Sequence, residues 1–342
     1  MPTRNCLVLF STLVLLACLL TSMKTPAVPP TATRSNLAWT DSSLQLDQLR
    51  LPDPVSDPIL RSDTPSCVIP FTRAGNLIVI KAHIDSMEGN FILDTGAPHL
   101  ILNITYFRDY PVTHHQDEMQ TGSTGTGAAT NRTLINRFIL GSFRYSRAEA
   151  DLINLGHLEN SKGIKILGLI GVNMFKQCEV IIDYENSLLY LHHIQRKQAS
   201  SYKSEQLKDE TTYSTIPFDL RDNKIITYSE MAGKKLRFVI DCGAETNLLD
   251  SRLPDRVFEY VELSGRTTLL GTGNQRVEAV TGVLKGLRIA NRDIATLPII
   301  ITNMEKTCFS LNGCADGVLG FDFLSLQKIG FNFVQRKMYI WK

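Results

Sequence analysis

The chain has 342 residues, with 36 Lys plus Arg against 34 Asp plus Glu and a formal net charge of +2, so it offers no excess of positive charge to nucleic-acid phosphates. Hydrophobic residues at 43% and charged residues at 20% exclude a disordered chain, and 22 Gly with 14 Pro exclude a collagen-like or low-complexity one. At roughly 150 residues per domain the length fits two domains, each with room for its own core.

Behind a single basic residue, Arg4, residues 6–20 form one uncharged apolar run. That length suits the apolar region of an export signal and is short for a membrane-spanning helix of about 20 residues. Residues 1–23 are expected to be a signal peptide or a membrane or lipid anchor. Three fates stay open: cleavage, retention, or lipidation at Cys18, because Leu15-Leu16-Ala17-Cys18 resembles a lipobox. Residues 24–66 are rich in Pro, Thr, Ser and Asp without sustained periodicity, and read as a flexible tether. The expectation is an extracytoplasmic protein, secreted, periplasmic or membrane-anchored, whose N-terminal segment offers a route to membrane association.

Beyond the tether, the runs 77–84, 91–93, 188–191, 238–240, 297–301 and 337–341 are short and rich in Val, Ile, Leu and aromatics, with Gly, Asn and Asp between them. They read as strands. No long stretch keeps a 3.6-residue apolar period, and the best short helices follow Gly171 and Gly320. A polar, charged segment over 195–213 reads as a linker. The prediction is therefore all-β: a first lobe at 67–194 and a second at 214–342, each with about one short helix.

Seven cysteines leave an odd number after Cys6 and Cys18 are set aside with the signal. Cys308 and Cys314 flank a short loop they could close, and Cys67 could join Cys178, which leaves Cys242 as the free thiol. The cysteine and histidine spacings suggest no metal, and no cofactor is expected. The adjacent pairs His114-His115 and His192-His193 read as solvated strand or loop residues. Asn103-Ile104-Thr105 and Asn131-Arg132-Thr133 match glycosylation acceptors.

Laid against itself, the chain repeats. Ile69-Pro70-Phe71 recurs as Ile216-Pro217-Phe218, and 90–97, ending Asp94-Thr95-Gly96-Ala97, recurs as 237–244, ending Asp241-Cys242-Gly243-Ala244, both at an offset of 147. Leu169-Ile170-Gly171 recurs as Val318-Leu319-Gly320 at 149. Four ordered segments, counting 180–184 against 329–333, read as one fold written twice.

Each half thus ends an apolar strand on a carboxylate followed by a small residue, Gly and Ala. Glycine lets the chain turn sharply there and leaves the carboxylate at the loop apex. With the halves packed about a pseudo-twofold axis, Asp94 and Asp241 meet at the lobe junction. Like charges so close share a proton, and the pair can activate a water while polarising a carbonyl.

On these motifs the sequence resembles the retropepsin-like aspartic proteases in a tandem, single-chain form, over about residues 68–342. The resemblance implies two pseudo-twofold-related acid-protease lobes and an aspartic-type endopeptidase acting on peptide or protein substrates as a single chain. It implies Asp94 and Asp241 as catalytic residues, supported by Thr95, Gly96, Cys242 and Gly243, with Gly171 and Gly320 packed behind the active loops. It implies flaps at the glycine-containing segments, with Gly122, Gly125 and Gly127 in the first half and Gly271 and Gly273 in the second. One position departs from the family pattern. Cys242 stands where a hydroxyl would brace the dyad across the junction, and a thiol is a weak donor and acceptor, so the bracing is expected to be lopsided. The competing reading is a catalytically weak or inactive bilobal module that grips extended peptides; a second carboxylate, which such a module does not need, favours the enzyme. A third reading, an envelope-anchored structural protein, rests on the N-terminal run and tether.

Overall fold

A computed structural model describes residues 7–8, 57–121, 127–270, 276–289, 292–305 and 314–342. Most of the expected signal, including Cys18, and most of the expected tether lie outside these residues, as do Gly122, Gly125, Gly271, Gly273 and Cys308. The described chain is all-β with a few short helices, arranged as two β-rich lobes around three sheets.

In the first lobe, strands 77–84 and 87–93 form an antiparallel hairpin, with 91–93 wholly apolar and buried. Strand 168–170 runs parallel to 87–93 and antiparallel to 100–103. It therefore lies between two strands that are consecutive in sequence, and the loop joining them, which carries Asp94, is drawn across its end. Strand 148–153 continues the sheet parallel to 100–103, and the hairpin 112–121/127–135 adds to it.

The second lobe repeats the arrangement with 224–231 and 234–240 as the hairpin, 317–319 inserted beside 247–250, then 292–302 and the hairpin 261–270/276–289. In both lobes the residues between the paired strands, 122–126 and 271–275, lie outside the described residues; Gly127 opens its strand.

A third, six-stranded sheet belongs to both halves, in the order 213–217, 337–341, 329–332, 178–183, 188–193, 66–70. Its central pairing, 178–183 with 329–332, is where the halves join. Aromatic rings extend the junction: Phe175 stacks on Phe333 at 6.4 Å, and Phe218 meets Phe333 edge-on at 5.8 Å. The largest core cluster runs through both lobes.

Four expectations need correction. Strand 59–62 pairs with 143–146, so the tether ends before it. Helices are also more numerous than one per lobe. The first lobe has 104–107 and 156–162 besides a 3-10 turn at 172–175, and the second has 255–258 and 321–324. The helix at 104–107 explains a third. Asn103 caps it and is fully buried, accepting from Thr105 N (3.3 Å) and Leu155 N (3.2 Å) and donating to Ile166 O (3.1 Å). A side chain so engaged has no room for a glycan. Lastly, Cys67 and Cys178 are free thiols. They pair with Leu191 and His193 on opposite sides of the same strand. A whole strand separates them, about twice the 4.8 Å interstrand spacing, beyond disulfide reach. Cys314 is disulfide-bonded.

Candidate active site at the lobe junction

Each carboxylate is fixed by the strand inserted behind its loop. Asp94 N donates to Ile170 O (3.1 Å), and Val172 N donates to Ala97 O (3.0 Å). The second lobe does the same with Asp241 N to Leu319 O (3.0 Å) and Phe321 N to Ala244 O (2.9 Å). Gly171 and Gly320 stand where these strands end. A Cβ on Gly171 would lie 2.7 Å from Ala97 O, and one on Gly320 would lie 2.6 Å from Ala244 O. Those atoms are backbone and cannot swing aside. Gly171→Val and Gly320→Val are each expected to cost about 1–3 kcal/mol of stability through overpacking, read from denaturant melts. An unchanged midpoint for both would contradict this packing.

The two loops meet face to face. A Cβ on Gly96 would fall 2.6 Å from the Asp241 carboxyl carbon, and one on Gly243 would fall 2.5 Å from that of Asp94. Each glycine is thus the floor under the other half's carboxylate. Both carboxylates are buried. Asp94 Oδ1 accepts from Gly96 N (2.8 Å) and Ala97 N (3.1 Å), whereas Asp241 Oδ1 accepts from Gly243 N (2.8 Å). Asp241 Oδ2 is buried without a hydrogen-bond partner among the described residues. Burial first, and then the charge of Asp94, push the Asp241 carboxyl well above its ordinary range. The proton of the pair is therefore drawn to Asp241.

The bracing is reciprocal, which corrects the lopsided expectation. Thr95 Oγ1 donates to Ile240 O (2.9 Å) and accepts from Cys242 N (3.0 Å). Cys242 Sγ donates to Leu93 O (3.2 Å) and accepts from Thr95 N (3.3 Å). The thiol occupies both of the positions a hydroxyl would take, because the loops approach closely enough for it to reach. Burial, then the Asp94 and Asp241 charges, raise its pKa far above the usual thiol range, so it stays protonated and can donate. The asymmetry is one of bond strength, not of connectivity. Cys242→Thr is expected to preserve or raise thermal stability, by at most about 1.5 kcal/mol for stronger neutral bonds. A large loss in melting temperature would assign the thiol a role of its own.

Two further groups, not singled out by motif, support the loops. Glu245, directly after Ala244, crosses to the first lobe, where it pairs with Lys162 and accepts from Asn76 N (3.2 Å). His99, five residues after Asp94, is buried and lies 2.5 Å from Asp151, which also accepts from Arg132 Nε at 3.2 Å. Burial alone would raise the Asp151 carboxyl, but His99 and Arg132 hold it below its ordinary value. At the equivalent position of the second lobe's loop, Thr246 Oγ1 donates to Asp322 instead (2.5 Å).

An aspartyl protease family model matches residues 228–323. This stretch is similar to the aspartyl proteases. It runs from within strand 224–231, through Asp241, to the helix behind Gly320, and the likeness supports a protease. No curated protein matches the chain.

Proposed function

We propose that the chain is an exported, single-chain aspartic endopeptidase, a duplicated retropepsin-like enzyme that cuts extended peptides with Asp94 and Asp241. The observation that carries this reading is the mutual seating of the two carboxylates, each over the other half's glycine, with the pair's proton drawn to Asp241. In the resting pair, ionised Asp94 is the general base and protonated Asp241 is the acid. A water held between them loses a proton to Asp94 as its oxygen bonds to the peptide carbonyl carbon. Asp241 gives its proton to the carbonyl oxygen. The resulting tetrahedral diol collapses as the C–N bond breaks: the amine nitrogen takes the proton from Asp94, one hydroxyl returns its proton to Asp241, and acid and amine leave. The hairpins 112–121/127–135 and 261–270/276–289 are read as flaps over the substrate, with Gly127 opening a strand of the first.

Export is supported by the apolar run at 6–20 and by a disulfide at Cys314, which an oxidising compartment permits. The test is to incubate the full chain with a diverse peptide library from about pH 3 to about pH 8, the range in which a carboxylate pair changes charge, and to read products by mass spectrometry. Cleavage that disappears in Asp94→Asn supports the reading. Binding without cleavage at any pH would replace it with the peptide-gripping module.

A further inference from the structure

The two halves differ beside their carboxylates. In the first hairpin Val79 pairs with Ile92, so the register sets Leu77 opposite Asp94. In the second, Ile225 pairs with Ile240, so Lys224 is set opposite Asp241. Opposed residues of an antiparallel pair project from the same face of the sheet. Leu77 and Lys224 are thus equivalent positions at the standard offset of 147, one apolar and one cationic. Both are buried, Lys224 to 2% exposure. Among the described residues the Lys224 ammonium has neither a hydrogen bond nor an ion pair.

A buried ammonium without a partner is expensive, and the equivalent place in the first half holds leucine. Burial lowers the Lys224 pKa to about 8, while Asp222, Asp241 and Asp94 pull it upward, so the side chain stays charged below that pH. The fields of both dyad carboxylates reach it. It is a positive charge set beside Asp241, in the field of three carboxylates but bonded to none of them among the described residues.

We infer that Lys224 receives a carboxylate of the substrate next to the scissile bond, making this half of the cleft selective for acidic peptides while the Leu77 half stays apolar. The inference rests on the peptidase reading for the word substrate, but the recognition itself requires only binding. A carboxylate at this position gives the ammonium the partner it lacks, at a site where a neutral amide would leave the charge buried and unmatched.

The experiment uses peptides carrying Glu, or its isostere Gln, at successive positions, each with a free and with an amidated C-terminus. Binding is titrated by fluorescence anisotropy to full-length Asp94→Asn protein, and to the same protein with Lys224→Leu or Lys224→Arg added. At one position Glu should bind at least about tenfold more tightly than Gln, the scale of one hydrogen bond to a charged group. The preference should fall to about one with Lys224→Leu, the residue the other half already accommodates, and return with Lys224→Arg. Should the preference follow the free C-terminus instead, with the same dependence on Lys224, the carboxylate is that of the chain end. A ratio near one in the parent protein, or a preference that survives Lys224→Leu, overturns the inference. Because the titrations need no turnover, tight acidic binding by a protein that cuts nothing would overturn the peptidase reading alone.

Discussion

Asp94→Asn and Asp241→Asn should each lower kcat/KM by on the order of 10²–10⁴-fold, the range attributable to a positioned acid or base, while the fold survives. The isosteric amide keeps the volume that Gly96 and Gly243 leave open, so the loops need not move. Retained cleavage in either variant would place the chemistry elsewhere. Asp241→Asn carries a second signature, in stability. The folded-state pKa of Asp241 lies well above its ordinary 3.8. The folded protein therefore keeps a proton that the unfolded chain releases above about pH 4. Stability contributed by this group is present below that point and is lost as pH rises through the folded value. Replacing Asp241 by Asn should flatten that part of the stability profile, measured as unfolding free energy against pH; an unchanged slope would mean that the pair holds no raised proton.

Lys162→Ala should cost about 3–5 kcal/mol, the usual consequence of stripping one partner from a buried ion pair. Lys162 and Glu245 are each only 9% exposed at the side chain, so water compensates little for the lost partner. Glu245 would keep its bond from Asn76 N but retain a charge facing a void. Adding Glu245→Gln to Lys162→Ala removes that charge and should recover much of the loss, which a urea unfolding series on the three proteins would measure. A loss below about 1 kcal/mol, the value of an exposed pair, would mean that the bridge does little to hold the lobes.

Much of the site was legible in the sequence because its parts are local. A strand, a carboxylate, a small residue and a glycine fall within eight positions, and their recurrence at one offset fixes the pairing without any long-range inference. Gly171 and Gly320 were readable for the same reason. Residues whose partners lie far off in sequence were not. Asn103 looked like a glycan acceptor because the triplet says nothing of Leu155 or Ile166, 52 and 63 residues away, which bury it. The Cys67 and Cys178 pairing failed because the sequence does not reveal that strand 188–193 runs between them. Lys224 had a visible signal, the departure from Leu77 in the aligned halves, but it gains meaning only once the register sets it opposite Asp241. The reciprocal role of Cys242 depends on a separation between loops that no motif encodes.

Among the described residues the shared sheet also has two unpaired borders, strands 66–70 and 213–217. Both close on the repeated Ile-Pro-Phe. Phe71 N and Phe218 N point inward, donating to Ser187 O and Arg336 O at 3.0 Å each. Alternation along a strand then turns the preceding residue's nitrogen outward, where Pro70 and Pro217 present no N–H at all. Each border is missing a donor at the spot where a foreign strand would begin to zip on, and prolines so placed discourage edge-to-edge aggregation. The tripeptide that first betrays the repeat thus also removes a hydrogen-bond donor from each border of the sheet.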